Sequence, residues 1–295
     1  MKKVQIYTVD AFTDQLFSGN PAGVCMADNL TKMEMMLIAK ELNLSETAFL
    51  IKLDEYNFRI KFFTPTDEIN FCGHATLSSA WVLATKYHYL EKTNKLVFKT
   101  NVGLIPIDFE IVGGKFEKIM MTQINAEVKE INDSVKYLFD ILNLDIINYD
   151  NRYPIKLGYT GNWDLFIPIK TKRAIDFCNP NLDLMKKHHL ENQITSVHLF
   201  TDNTLDEDCF LYTRNFAPAV GIKEDLVTGS ANGALVGYLI NEHKLSWGNH
   251  NLKIKQTNSL NRQGEIYVYT DISCGNLLIK LGGRAVSSFE SVIYL

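Results

Sequence analysis

Residues 71–83 read FCGHATLSSAWVL, and residues 225–239 read DLVTGSANGALVGYL. Each segment sets a glycine and a polar residue at the mouth of an apolar run predicted to be a helix. Aligned on Gly73 and Gly229, Cys72 falls on Thr228, His74 on Ser230 and Ala75 on Ala231. Upstream, Glu68 falls on Glu224, and a strand ending FFTP (62–65) falls on one ending NFAP (215–218). The chain therefore carries an internal repeat: strand, loop, glycine, polar residue, apolar helix. A glycine before a helix lets the backbone come close to a ligand. The first helical N–H groups lack intrahelical partners and favour an anion. Two such helix starts suit a small carboxylate-bearing substrate held between two related halves. An ordinary glycine turn before a buried helix accounts for either segment alone; the recurrence favours a binding site.

The surrounding composition narrows the function classes. The 295 residues are 46% hydrophobic and 22% charged, which fits a soluble globular protein of one large or two ordinary domains. Net charge is −4 without a long basic run, so neither nucleic acid nor an anionic membrane is an expected partner. No apolar stretch approaches the roughly 20 residues needed to span a bilayer. The opening MKKVQIYTVDAF alternates and meets Asp10, which reads as a first strand rather than a secretory leader. Five cysteines, at 25, 72, 178, 209 and 274, are odd in number and widely spaced. That pattern predicts free thiols in a reducing cytoplasm. Cys72 and His74 give only C-x-H, and His188-His189 in MKKHHLEN read as a solvated helix end, so no metal is expected.

Along the chain, TKMEMMLIAKELNL predicts a helix with a Thr31/Glu34 capping box and an apolar face of Met35, Met36, Ile38, Ala39 and Leu42. ETAFLIKL and YNFRIKFFTP predict paired strands, HATLSSAWVLATKY a buried helix, and KLVFKT, LIPIDFEIV and KIMMTQI further strands. The polar stretch at 125–134 is the expected domain boundary. VKYLFDIL, NLDLMKKHHLEN and GSANGALVGYLINEH predict helices among the strands of the second half. Many strands and few helices indicate an α+β protein with mixed sheets around buried helices.

Read from the residues, Glu46 is a carboxylate among Leu44, Ala48 and Phe49. Apolar surroundings would raise its pKa and suit it to proton transfer near neutrality; a surface glutamate at a strand edge is the plain alternative. His74 suits an acid/base or an orienting donor, or a histidine bonded to the helix-start backbone. Asp225 suits binding of a substrate amine or holding His74 or Ser230, or a turn. Ser230 is a routine helix-start residue. Asn20, in SGNPAG, is a candidate donor to a carboxylate or a turn former.

VDAFTDQLFSGNPAGV, LNLSETAFL, FCGHATLSSA, RNFAPAVGIKEDLVTGSANG and LGGRAV together resemble the PhzF (phenazine biosynthesis F-like) family, which shares the diaminopimelate epimerase fold. The resemblance covers nearly the whole chain. Leu226 and Asn70 stand where relatives carry proline. The resemblance implies two pseudo-symmetric epimerase-like domains, each a barrel-like mixed sheet around a central helix. Their expected limits are 1–124 with a return of 277–295, and 125–276. It implies a homodimer, no metal or organic cofactor, and an active site between the domains. It implies isomerase chemistry of the trans-2,3-dihydro-3-hydroxyanthranilate type, with Glu46 moving a proton and His74, Asp225 and Ser230 assisting. Asn20, Ser45, Cys72, Gly73, Thr228 and Gly229 complete the expected substrate site. In related epimerases two cysteines occupy the matched positions; here Cys72 is matched by Thr228, which disfavours a two-thiol epimerase. A racemase using Cys72 with another partner, and a non-catalytic small-molecule binder, are the alternatives.

Overall fold

The computed structural model describes residues 2–204, 208–273 and 275–295; Cys274, expected to be a chance or core thiol, lies outside them. The chain forms two compact units, 1–122 with 282–295, and 123–281.

The first unit comprises β1 (Lys3–Ala11), β2 (Asn20–Met26), α1 (Lys32–Leu42), β3 (Thr47–Lys52), β4 (Asn57–Phe63), β5 (Glu68–Ile69), α2 (Gly73–Lys86), β6 (Lys95–Thr100), β7 (Gly103–Val112) and β8 (Lys115–Thr122). In α1 the expected capping box is present, with Thr31 Oγ1 accepting from the Glu34 N–H and Glu34 bonding back to the Thr31 N–H. β2 and β3 are parallel across α1, as a helical crossover permits, and β3 and β4 are antiparallel. Phe49, Phe63, Cys25 and Ile6 face α1 and pack with Met35, Ile38 and Ala39. The other side of this sheet covers α2, ten of whose residues are buried, Thr76, Ser78 and Ser79 among them.

The second unit comprises β9 (Glu127–Lys129), α3 (Val135–Leu142), β10 (Lys156–Tyr159), β11 (Trp163–Pro168), α4 (Lys172–Asp176), α5 (Leu182–Asn192), β12 (Ser196–Thr201), β13 (Leu211–Ala217), β14 (Ile222–Asp225), α6 (Gly229–Asn241), β15 (His250–Gln256) and β16 (Gly264–Ser273). β17 (Asn276–Gly283) carries the chain back to the first unit, whose last strand β18 (Ala285–Tyr294) pairs antiparallel with β1. β11 and β12 are parallel, and β12 and β13 antiparallel. Leu165, Ile167, Val197, Leu199 and Phe216 face α3 and α5 in one core, while α6 is buried along its length on the other face.

Strand register reproduces the repeat seen in the sequence. Phe62 pairs with Ile69 in the first unit, and Asn215 pairs with Asp225 in the second. Both pairs lie four residues before the helix-start glycine, so Gly73 and Gly229 are equivalent in structure. Each unit is thus a mixed sheet wrapped around one central helix, α2 or α6, as expected. β9, in the stretch 125–134, pairs with β10. One expectation needs correction. His188 and His189 do not form a solvated helix end: both are buried. His188 Nε2 lies 2.9 Å from Asp133 Oδ2, and burial pushes His189 down to about 4.

Candidate active site

The first helix start gathers three reactive side chains. α1 ends at Asn43, whose left-handed backbone (φ 49°) turns the chain toward Glu46. The Gly23 N–H donates to the Glu46 carbonyl at 3.1 Å, which fixes the residue before β3 begins. Alternation then points Glu46 the same way as Ala48 and Leu50, away from the Phe49 face that packs on α1. Cys72 is the N-cap of α2 and His74 lies in its first turn.

His74 Nε2 lies 3.1 Å from Glu46 Oε2, and both side chains are over nine-tenths buried. Cys72 Sγ lies 3.4 Å from His74 Nδ1 and 3.8 Å from Nε2. Glu46 Oε2 is enclosed yet receives no well-aligned hydrogen bond, so the contact is an ion pair more than a directed bond.

The expected rise of the Glu46 pKa is not found. Burial pushes it up, but the attraction of His74 and the polar side chains of His74, Ser45 and Cys72 around it outweigh this and hold the carboxyl below its ordinary value. Burial acts to lower His74, but Cys72 and Glu46 lift it well above the usual histidine range. Burial, and then the Glu46 charge, raise the Cys72 thiol. The Glu46 carboxylate 3.1 Å from Nε2 favours the protonated form of His74, and burial favours the neutral thiol of Cys72. His74 is held by Glu46 and Cys72 side chains rather than by the helix-start backbone.

Glu46, Cys72 and His74 offer oxygen, sulfur and nitrogen atoms within 4.8 Å of one another, and they are the group that could hold a metal among the described residues. The sulfur is nearly equidistant from both ring nitrogens, so it lies beside the imidazole rather than on the axis of one lone pair. A metal would have to displace the Glu46–His74 pair to use Nε2.

Gly73 has room for a side chain. A Cβ there would meet only Met121 Cε, at 3.8 Å, so packing does not demand the glycine. Gly19 is different: its φ of +60° and a Cβ position 2.1 Å from the Ala11 carbonyl oxygen leave no alternative. It delivers Asn20, which is buried, to the start of β2. Ser45 is exposed beside Glu46.

In the second unit, Asp225 ends β14 and Thr228 is the N-cap of α6. Asp225 Oδ2 accepts the Thr228 hydroxyl at 2.6 Å. Gln256 braces the turn, its Oε1 accepting the Thr228 N–H at 3.0 Å and its Nε2 donating to the Asp225 carbonyl at 3.1 Å. Ser230 is half-buried in the first turn, and its carbonyl accepts the Thr160 hydroxyl at 2.9 Å. Neither Cys72 nor Thr228 caps its helix through its side chain. Cys25 and Cys178 are core thiols raised chiefly by burial, while Cys209 is half-buried. Among the described residues no helix is long and apolar enough to cross a membrane.

Residues 9–291 match the family model described as phenazine biosynthesis-like protein, PhzC-PhzF. The chain is 36% identical to an uncharacterized isomerase of Clostridium acetobutylicum, covering 100% of this chain and 99% of that one. It is 30% identical to an uncharacterized isomerase of Bacillus subtilis, covering 99% of each. A crystal structure of the Bacillus anthracis phenazine biosynthesis protein, PhzF family, superposes with a TM-score of 0.91 over 100% of both chains at 29% identity.

Proposed function

This chain belongs to the phenazine biosynthesis-like family and is an isomerase of it, and from that premise we propose that Glu46 moves a proton between two carbon positions of a small carboxylic acid. The observation that carries this reading is the buried Glu46–His74 pair at the start of α2. Glu46 is ionised at neutral pH and so starts as the base. His74, held protonated, donates a hydrogen bond where negative charge develops, which stabilises the carbanion-like state in a site with little water. Once it has accepted the proton, Glu46 returns it to the second carbon as an acid. In the first unit the substrate carboxylate is assigned to the backbone N–H groups at Gly73, where a helix start favours an anion. Space for a Cβ at Gly73 supports close approach of a ligand. Asn20, Ser45 and Cys72 complete the proposed site of the first unit, and Asp225, Thr228, Gly229 and Ser230 are the substrate-site residues proposed in the second. The reaction so written needs no cofactor.

The test is Glu46→Gln, assayed for deuterium incorporation from D₂O into a panel of cyclic amino and hydroxy acids. The expected loss is on the order of 10²–10⁴ in exchange rate. Exchange at the wild-type rate in the variant would rule out Glu46 as the relay.

A further inference from the structure

The second helix start is held from outside by one side chain. Gln256 ends β15 and is fully buried. Its Oε1 accepts the Thr228 N–H at 3.0 Å and Asn232 Nδ2 at 2.8 Å. Its Nε2 lies 3.1 Å from both the Asp225 carbonyl oxygen and Thr228 Oγ1. Two of these partners are main-chain groups of fixed sense. A peptide N–H only donates and a peptide carbonyl only accepts, so the Gln256 amide cannot be turned round. Its second amide proton therefore goes to Thr228 Oγ1. That fills one acceptor site of the hydroxyl and leaves the hydroxyl's own proton for Asp225 Oδ2, 2.6 Å away.

We propose that Gln256 is a positioning residue for the isomerase reaction: its amide aims the Thr228 hydroxyl at Asp225 and so fixes the orientation of the Asp225 carboxylate. The proposal rests on the assignment of Asp225 to the substrate site. A carboxylate held through Oδ2 cannot swing about its own bond, so it meets a donor group of the substrate in one geometry. The fold alone does not ask for this bracket. Arg59 pairs with Lys99 as Tyr212, its counterpart in the repeat, pairs with Lys255. The next residue, Thr100, is therefore the counterpart of Gln256. Thr100 serves its own turn instead, donating to the Gly103 carbonyl at 2.9 Å and accepting the Val102 N–H at 3.2 Å. The start of α2 forms without an amide there.

The same logic fixes the next amide. Asn232 Nδ2 donates to the Thr228 carbonyl, again a main-chain acceptor, and to Gln256 Oε1, both at 2.8 Å. Asn232 Oδ1 is thereby turned toward His198 Nε2, 3.2 Å away, so that ring nitrogen carries a proton. Burial drives His198 down to about 4, so at neutral pH its other nitrogen, Nδ1, is bare. The Asn215 amide lies 3.0 Å from Nδ1 and serves it with its nitrogen. The protonated nitrogen of His198 thus reports the sense of the Gln256 amide.

The first test needs no substrate. A neutron crystal structure of the perdeuterated wild type should place the Thr228 deuteron between Oγ1 and Asp225 Oδ2, both Gln256 amide deuterons toward the Asp225 carbonyl and Thr228 Oγ1, and the His198 deuteron on Nε2. A Thr228 deuteron directed away from Asp225, or His198 deuterated on Nδ1 alone, overturns the proposal. The second test is deuterium exchange into the panel of cyclic amino and hydroxy acids. Gln256→Met should slow it by on the order of 10- to 100-fold, and Thr228→Val by a similar factor. Because both act through one hydroxyl, the double variant should be no slower than Gln256→Met alone. A purely structural Gln256 would instead give losses that multiply, and that result overturns the positioning role. Should Gln256→Met not fold, Thr228→Val decides, since its hydroxyl does not cap α6; exchange at the wild-type rate in that variant overturns the proposal. A wild type that exchanges no member of the panel counts against the Glu46 relay, and the neutron structure then decides the role of Gln256 by itself.

Discussion

Ser196 stands in the second unit where Glu46 stands in the first. Thr47 pairs with Phe63, and Val197 with Phe216, the matched phenylalanines of FFTP and NFAP; Glu46 and Ser196 are the residues just before. Both face the central helix of their own unit. The repeat therefore offers one inward polar position in each unit, and only the first fills it with an acid. In the second unit the acid is Asp164, which pairs with Ser196 across the parallel strands. Their environments push the two acids apart. A cationic partner holds Glu46 below the ordinary range, and burial beside Asp225 lifts Asp164 above it.

The Glu46–His74 pair predicts a definite titration. Replacing His74 by glutamine removes the attraction and leaves burial dominant, so the Glu46 pKa should move above the ordinary carboxylate range. A ¹³C NMR titration of the glutamate side chain checks this. A Glu46 that still titrates below that range would show that His74 is not what holds it down. The stability sign follows from both partners. Glu46 is lowered on folding, so its contribution is lost as pH falls through its folded pKa. His74 is raised on folding, so its contribution is lost as pH rises through its folded pKa. The stability advantage of the wild type over His74→Gln should therefore form a plateau across neutral pH and shrink on both sides.

For Cys72 the expected outcome separates proton relay by glutamate from thiol chemistry. The thiol is buried and raised, so alkylation of the folded protein at neutral pH should be far slower than of the unfolded chain. Cys72→Ala should keep deuterium exchange within about tenfold of wild type, since it removes a neighbour of His74 and not the relay. A loss in Cys72→Ala as deep as that of Glu46→Gln would return the thiol to a catalytic part.

Asp164 carries a stability prediction of opposite form to Glu46. Its pKa is raised on folding to about 7. Below the unfolded pKa both states are protonated and nothing is lost. As pH rises from there toward 7 the unfolded chain releases its proton first, and stability falls by roughly 3–4 kcal/mol before levelling off. Asp164→Asn removes that slope. Urea denaturation at several pH values should show the variant gaining on the wild type as pH rises; parallel curves would mean that Asp164 is ionised in the folded protein.

The outline of the fold was legible because the repeat lies in glycine-punctuated helix starts, where local chemistry and tertiary role coincide. The capping box of α1 is likewise local. What stayed hidden depended on distant partners. Nothing around Glu46 announces the His74 contact that reverses its expected pKa, because the two meet only when β3 lies beside the start of α2. His188 and His189 sit among lysines in sequence, yet α5 turns both inward. β18 has weak alternation and owes its place to pairing with β1. A signal for the buried polar side chains around Asp164 was present: SVHLFT and LYTRNFA are buried at every position, so their polar residues had to find partners inside.

The repeat also predicts unequal costs at equivalent acids. Glu68 and Glu224 occupy the same place before their helix starts, and each meets a cation. Lys32, which meets Glu68 at 2.5 Å, has a side chain 66% exposed. Arg214, which meets Glu224 at 2.5 Å, is only 6% exposed, and its Nη1 also donates to the carbonyls of Ile175, Asp176 and Cys178. Glu224 further accepts the Ser259 N–H at 3.2 Å, tying β13, β14 and the loop after β15 together. Glu68→Ala leaves a solvated lysine and should cost less than about 1 kcal/mol. Glu224→Ala leaves a buried guanidinium without its counter-ion and should cost about 3 kcal/mol, since the three carbonyls still take part of its charge. Urea denaturation of the two variants at neutral pH makes the comparison directly. Equal losses would mean that the Arg214 charge is carried by the backbone carbonyls alone, and that Glu224 is free to serve a ligand instead.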